Sequence, residues 1–192
     1  ETFDTNGNKV GIGSQALGGN GNASNCIAIG ASALLGSLSS NADGAVAVGT
    51  SALTSLTSGA GNTAIGFEAL QGHTTGARNT VVGYQAMDGT GGATVLDSND
   101  NTFMGYHAGG GTWTTAVCQY NVGIGNYSLD GAMNDANNNT AVGYGSLGDL
   151  TEGDSNVAVG TNALADNTTA RFNTAIGASS LQRNINGEHN VA

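Results

Sequence analysis

Few residues in this chain could do covalent chemistry, and those few are scattered. The three histidines, His73, His107 and His189, fall at unrelated places in the sequence. No nucleophile elbow, metal-ligand spacing or phosphate-cradling glycine loop accompanies them. They are expected as surface or loop residues; no catalytic residue, cofactor or metal site is assigned. Asp97, Asn99 and Asn101 imitate the opening of a calcium loop. Thr102 stands where that loop needs glycine, and no glutamate closes it, so a polar loop is expected.

Binding chemistry has a better footing. Phe67, Tyr84, Tyr106 and Tyr144 each directly follow a glycine in a recurring phrase. Two long segments, 88–100 and 110–120, flank the sixth copy of that phrase, and the second carries the single tryptophan, Trp113. Protruding loops on a rigid scaffold are where binding residues gather, and aromatic rings could grip sugars. Tyr84, Tyr106 and Trp113 are therefore candidate ligand contacts. The competing expectation is an aromatic column that packs on itself.

The elements that would position these residues follow from an internal repeat. One glycine marks each copy: Gly13, Gly30, Gly49, Gly66, Gly83, Gly105, Gly125, Gly143, Gly160 and Gly177. Successive differences are 17, 19, 17, 17, 22, 20, 18, 17 and 17 residues. Three residues before the glycine stands a β-branched residue, such as Val46, Thr63 or Val122. One before it stands an aliphatic residue or Met, such as Ile65 or Met104, and between the two sits a mostly small residue such as Ala64. Alternation of period two is a strand signature. The β-branched and aliphatic columns are expected inside, and the small column on a face that another backbone approaches. After the glycine comes a second short apolar pair, as in Ala69 and Leu70, and then a Gly/Asn/Ser/Thr-rich turn.

The unit is thus strand, glycine corner, short strand and loop. The expected fold is all-β: a single parallel β-solenoid spanning residues 1–192, about ten coils of 17–22 residues. At about 4.8 Å per coil the rod would be roughly 45–50 Å long. Asn62, Asn79, Asn101, Asn121, Asn139, Asn156 and Asn173 all lie four before the glycine and are expected to form an amide ladder along the axis. Lys9, Cys26 and Ala45 interrupt that column in the first three copies. Cys26 and Cys118 lie about five coils apart, roughly 24 Å by strand spacing. A bridge between them within one chain is out of reach.

Composition sets limits. Charged residues are 9%, with 33 glycines and no proline, and the formal net charge is −10. A chain with 4 basic residues cannot neutralise nucleic-acid phosphates, and no apolar run approaches the ~20 residues needed to span a bilayer. So thin a core makes coils depend on their neighbours, and lateral association into an oligomer, a trimer, is expected. The chain stops inside an eleventh copy, at Ala192. Excision from a longer protein and end-to-end filament assembly both account for that.

The phrase N-[TV]-A-[IV]-G-x-x-[AS]-L resembles the head repeats of trimeric autotransporter adhesins and is similar to the NTAIG-type repeats of phage tail fibres. The resemblance implies a left-handed β-roll, trimerised through one sheet and displayed outside the cell or on a virion. It also implies attachment to a host-surface glycan or matrix protein. The expected role is a non-enzymatic fibre or adhesin shaft, with a virion tail-fibre shaft as the alternative. An ice-binding solenoid ranks lower, because its threonine column is placed in the interior.

Overall fold

A computed structural model describes residues 2–4, 7–19, 21–90, 97–113 and 116–192. Eleven strands form one sheet in strict chain order. They are β1 (Thr2–Asp4), β2 (Lys9–Ile12), β3 (Ile27–Ile29), β4 (Val46–Val48), β5 (Thr63–Ile65), β6 (Thr80–Val82), β7 (Thr102–Met104), β8 (Val122–Ile124), β9 (Thr140–Val142), β10 (Val157–Val159) and β11 (Thr174–Ile176). The strands β2 to β11 are parallel, one per coil, making a β-solenoid of about nine turns. The β1 strand instead runs antiparallel along the outer edge of β2, with Phe3 opposite Val10. Among the described residues there is no α-helix, only one 3-10 turn at Ser40–Ala42.

Register never slips. Even across the longest unit, Thr80 pairs with Thr102, Val81 with Phe103 and Val82 with Met104. Extra residues are absorbed in loops, which tolerate length change far more cheaply than a ladder does. At each corner the glycine N–H donates to the preceding coil, as from Gly66 to Val48 O at 2.7 Å and from Gly83 to Ile65 O at 2.8 Å. Two residues in the following turn, such as Glu68 and Leu70, take left-handed backbone angles of φ 56° and 53°. That conformation costs about 1–2 kcal/mol per residue. It is held by bonds to the next coil, Leu70 N–H to Ala86 O at 3.0 Å among them.

The expected orientation of the strands is reversed. The small middle residues, Ala28, Ala47, Ala64, Ala141, Ala158 and Ala175, are fully buried. The β-branched and aliphatic columns on either side of them point outward. The lumen explains this. Each coil folds its second apolar pair, Ala69 and Leu70 in the fourth copy, back beneath the strand, and both are fully buried. The gap that remains takes a methyl group or none in eight coils, and Val81 and Phe103 in the other two.

The asparagine column shares the parity of the alanine column, and it is interior too. Asn62, Asn79, Asn101, Asn121, Asn139, Asn156 and Asn173 are all fully buried. Each Oδ1 accepts twice from the following asparagine: Asn101 donates to Asn79 from its backbone N–H at 3.1 Å and from Nδ2 at 3.1 Å. The second Nδ2 proton of Asn101 goes to Cys118 O at 2.9 Å. The ladder runs unbroken to Asn190, which donates to Asn173 Oδ1 at 3.0 Å from both nitrogens. Buried amides are tolerable only when satisfied in this way.

The glycine corners carry two constraints at once. At Gly66, φ is +142°, and an added Cβ would land on the carbonyl oxygen of Gly83 directly above it. At Gly177, φ is +132°, but the nearest atom to an added Cβ is Ser180 Cβ at 4.0 Å. Gly177→Ala should therefore cost only backbone strain, about 1–2 kcal/mol. Gly66→Ala should cost at least twice as much, because two backbones must separate. Thermal unfolding followed by circular dichroism checks this; equal losses would remove the close-approach explanation.

Candidate functional site

Two outward features run along the rod. The first is the sheet face. Ile12, Ile29, Ile65, Met104 and Ile124 are 38–45% exposed, although they are large apolar side chains. Beside them runs the β-branched column, with Thr63, Thr80, Thr102, Thr140 and Thr174 interspersed among Val46, Val122 and Val157. In-register pairing places like on like along this face, as Val46 on Thr63 and Val48 on Ile65. Neither column contains a charged residue from β2 to β11, in a chain of net charge −10.

The second feature is aromatic. Phe67 and Tyr84 stack at 4.9 Å with planes 19° apart, and Tyr84 and Tyr106 stack at 5.6 Å and 23°. Tyr127 then turns edge-on, meeting Tyr106 at 5.2 Å and 77° and Tyr144 at 5.7 Å and 76°. Tyr84 and Tyr106 are exposed, as their position after the glycine suggests. Their faces, however, are turned along the axis onto neighbouring rings, leaving edges and hydroxyls to solvent. Beside them His107 Nδ1 lies 2.8 Å from Asp130 Oδ1. Partial burial raises the carboxyl pKa of Asp130, and the histidine opposes that rise.

Trp113 is no ligand contact. It is fully buried and meets the ring of Phe103 edge-on at 5.9 Å and 69°. Part of the first long loop, 91–96, lies outside the described residues, as do 114 and 115 in the second. Of the calcium-like residues, Asn101 belongs to the buried ladder, and Asn99 Oδ1 accepts the backbone N–H of Ala77. Cys26 and Cys118 are free, buried thiols. Among the described residues no group of three or more His, Cys, Asp or Glu side chains converges as a metal site would require, and no helix is long and apolar enough to cross a membrane.

A second side-chain row was not evident from the sequence. Six residues before the corner glycine, Asp43, Asn137 and Asp154 accept backbone N–H bonds from the preceding coil, from Ser24 at 2.7 Å, Gln119 at 2.8 Å and Asn137 at 2.9 Å. Asn99 does the same for Ala77. The signal was an Asx residue at one register in four copies, dispersed among Gly, Ala, Ser, Gln and Arg at the others.

No protein-family model, no curated protein and no solved structure matches the chain.

His73 lies in the loop between β5 and β6, as expected, but its side chain is turned inward instead of lying on the surface. It lies in one column with Leu56 and Thr90, fully buried. Asn79 Nδ2 is 3.3 Å from its Nε2, and Thr90 Oγ1 is 3.3 Å from its Nδ1. Both protons of that amide already go to Asn62 Oδ1 at 3.1 Å and Ser98 O at 2.9 Å. Burial pushes its pKa down from 6.5 to about 4. The unfolded chain therefore binds the proton first, and this histidine favours the folded state fully only above pH 6.5. Its contribution should fall as pH drops towards 4, by about 3 kcal/mol in all. Denaturant melts of the wild type and His73→Gln should differ in pH slope across that window and run parallel above it.

Proposed function

We propose that this chain is a structural, non-enzymatic segment of an extracellular fibre shaft, of an adhesin or of a virion tail fibre, whose copies pack side by side through the outer sheet face. One observation carries this: the aliphatic column of the strand points outward in every copy, beside a Val/Ile/Thr column that carries no charge. At about 4.8 Å per coil and about 10 Å of width, the face covers on the order of 500 Å². That is at the upper end of the apolar patches lone soluble proteins leave open. A second copy is its natural cover. The face bears no charge, so it is where two chains of net charge −10 can approach without repulsion. The identical spacing of its ridges lets copies interlock at every coil. Three copies about one axis would shield all three faces from water, consistent with the repeat's resemblance to trimeric adhesin heads.

The outward threonines favour one other reading. A flat, uncharged, regularly spaced Thr/Val and Ile lattice could order water against an ice surface, and that role would require the face to stay open. The two uses of one face exclude each other.

Sedimentation velocity separates them. The expected result is a trimer of the 18.8 kDa chain that dissociates to monomers in Ile65→Glu/Ile124→Glu, with the β-sheet circular dichroism retained because both side chains already point outward. A wild-type monomer with measurable thermal hysteresis would overturn self-association and establish the ice-binding reading.

A further inference from the structure

The loop edge of the rod carries a built groove away from the sheet face. Five residues before each corner glycine a column of side chains runs along the axis, its backbone fixed coil to coil. The Asn138 N–H donates to Gln119 O at 3.0 Å, Ser155 N–H to Asn137 O at 3.0 Å and Phe172 N–H to Asp154 O at 3.1 Å. Within this column Tyr120 and Phe172 stand three coils apart, roughly 14 Å at about 4.8 Å per coil. Both rings are at least half exposed, at 56% and 50%. Asn138 and Ser155 lie between them, and together they line a groove of about 500 Å³.

The ring orientation matters here. Phe172 stacks on His189 of the following copy at 4.9 Å with planes 12° apart. One of its faces is thus covered, and the other looks down the column towards Ser155. Unlike the tyrosines on the opposite side of the coil, it offers a free aromatic face to a ligand. The polar groups are equally selective. Asp154 is occupied by the Asn137 N–H at 2.9 Å and Arg171 Nε at 3.4 Å. Asp135 Oδ1 accepts Asn137 Nδ2 at 3.1 Å. Among the described residues, the Asn138 amide and the Ser155 hydroxyl have no side-chain bond. What remains is two apolar walls, an uncommitted amide, an uncommitted hydroxyl and the second carboxylate oxygen of Asp135, with no cation among the lining residues to receive an anion.

From this geometry we infer that the groove between Tyr120 and Phe172 binds an uncharged saccharide. The apolar C–H faces of sugar rings lie against the two aromatic walls, and the hydroxyls bond Asn138 and Ser155. A short oligosaccharide along the axis fills the span. This adds a ligand class to the fibre role proposed above and does not depend on how copies pack, because no strand residue of the sheet face lines the groove.

Saturation-transfer NMR with the aromatic protons irradiated tests it on the full chain. The probes are maltotriose and N-acetylchitotriose as neutral ligands, sialyllactose as the anionic one and the chitosan trimer as the cationic one. A neutral trisaccharide should show transfer to its C–H protons. Tyr120→Ala and Phe172→Ala should each weaken its binding at least tenfold, with circular dichroism unchanged. Tyr144→Ala, an exposed aromatic outside the groove, should leave binding as it was. Three results would each overturn the inference: no transfer to either neutral sugar at millimolar concentration, stronger binding of the anionic or cationic probe, or full binding by both groove variants. Sedimentation of the same variants reads self-assembly independently, so a groove that binds nothing leaves the fibre proposal standing.

Discussion

Most backbone bonds of a coil run to the coil above or below, and the molecule depends on that vertical dependence. The corner glycines donate upward or downward but not across, as Gly105 N–H does to Val82 O at 2.8 Å and Gly125 N–H to Met104 O at 2.8 Å. A strand of three residues has no stability of its own; ten of them in one register hold each other. The asparagine ladder repeats the same logic with side chains in the lumen. Each amide is fully satisfied, and only at one register. A slip of a single residue would strand a buried amide at every coil from the fourth onward, so there the ladder enforces register where the short strands alone could not.

Vertical bonding also sets the width of the rod. Backbones stacked so closely at the glycine corner leave no room for a Cβ there, and the turn that follows brings Ala and Leu beneath the strand. The lumen is filled by one methyl from the strand, an amide, and an Ala/Leu pair. Where a larger group enters, neighbours shrink. Phe103 occupies the place of the usual alanine, and an added Cβ at Gly123 in the next coil or at Gly109 in the same coil would sit 2.6 Å and 2.8 Å from its ring. The lumen is close-packed and answers each added volume with a nearby loss.

The repeat, the strand positions, the corner glycines and the amide ladder were all legible in the sequence, because each is a column of one residue type at constant register. What was misjudged is which strand face is inside. Alternation of period two separates two faces without saying which is the core, and habit assigns the larger aliphatic residues inward. The ladder held the answer: Asn79 and Val81 are two apart, so a buried amide ladder obliges the middle residue to be buried as well. The placement of His73 and Trp113 could not be reached this way. Both lie after the second apolar pair, where copy lengths diverge and alignment by register is lost. The companion changes at Phe103, Gly109 and Gly123 were visible as departures from the pattern. Only knowledge that those columns meet across the lumen connects them.

Once the columns are sorted by what they bond, the location of function follows. Interior columns spend their chemistry on the adjacent coils and can vary only as Phe103 does, with compensation. The outward sheet columns vary among Val, Ile, Thr and Met but never admit a charge, which is the constraint expected of a surface meant to be covered by its like. The columns after the corner glycine and five before it are free of both demands. There the chain places Phe, Tyr, His, Arg, Asp, Asn and Ser in no fixed order. A rod whose geometry is set by its invariant columns can change these residues coil by coil without disturbing the stack. On the proposed reading, recognition of a particular ligand belongs on those edges, as a local arrangement spanning a few coils, while the sheet face serves assembly along the full length.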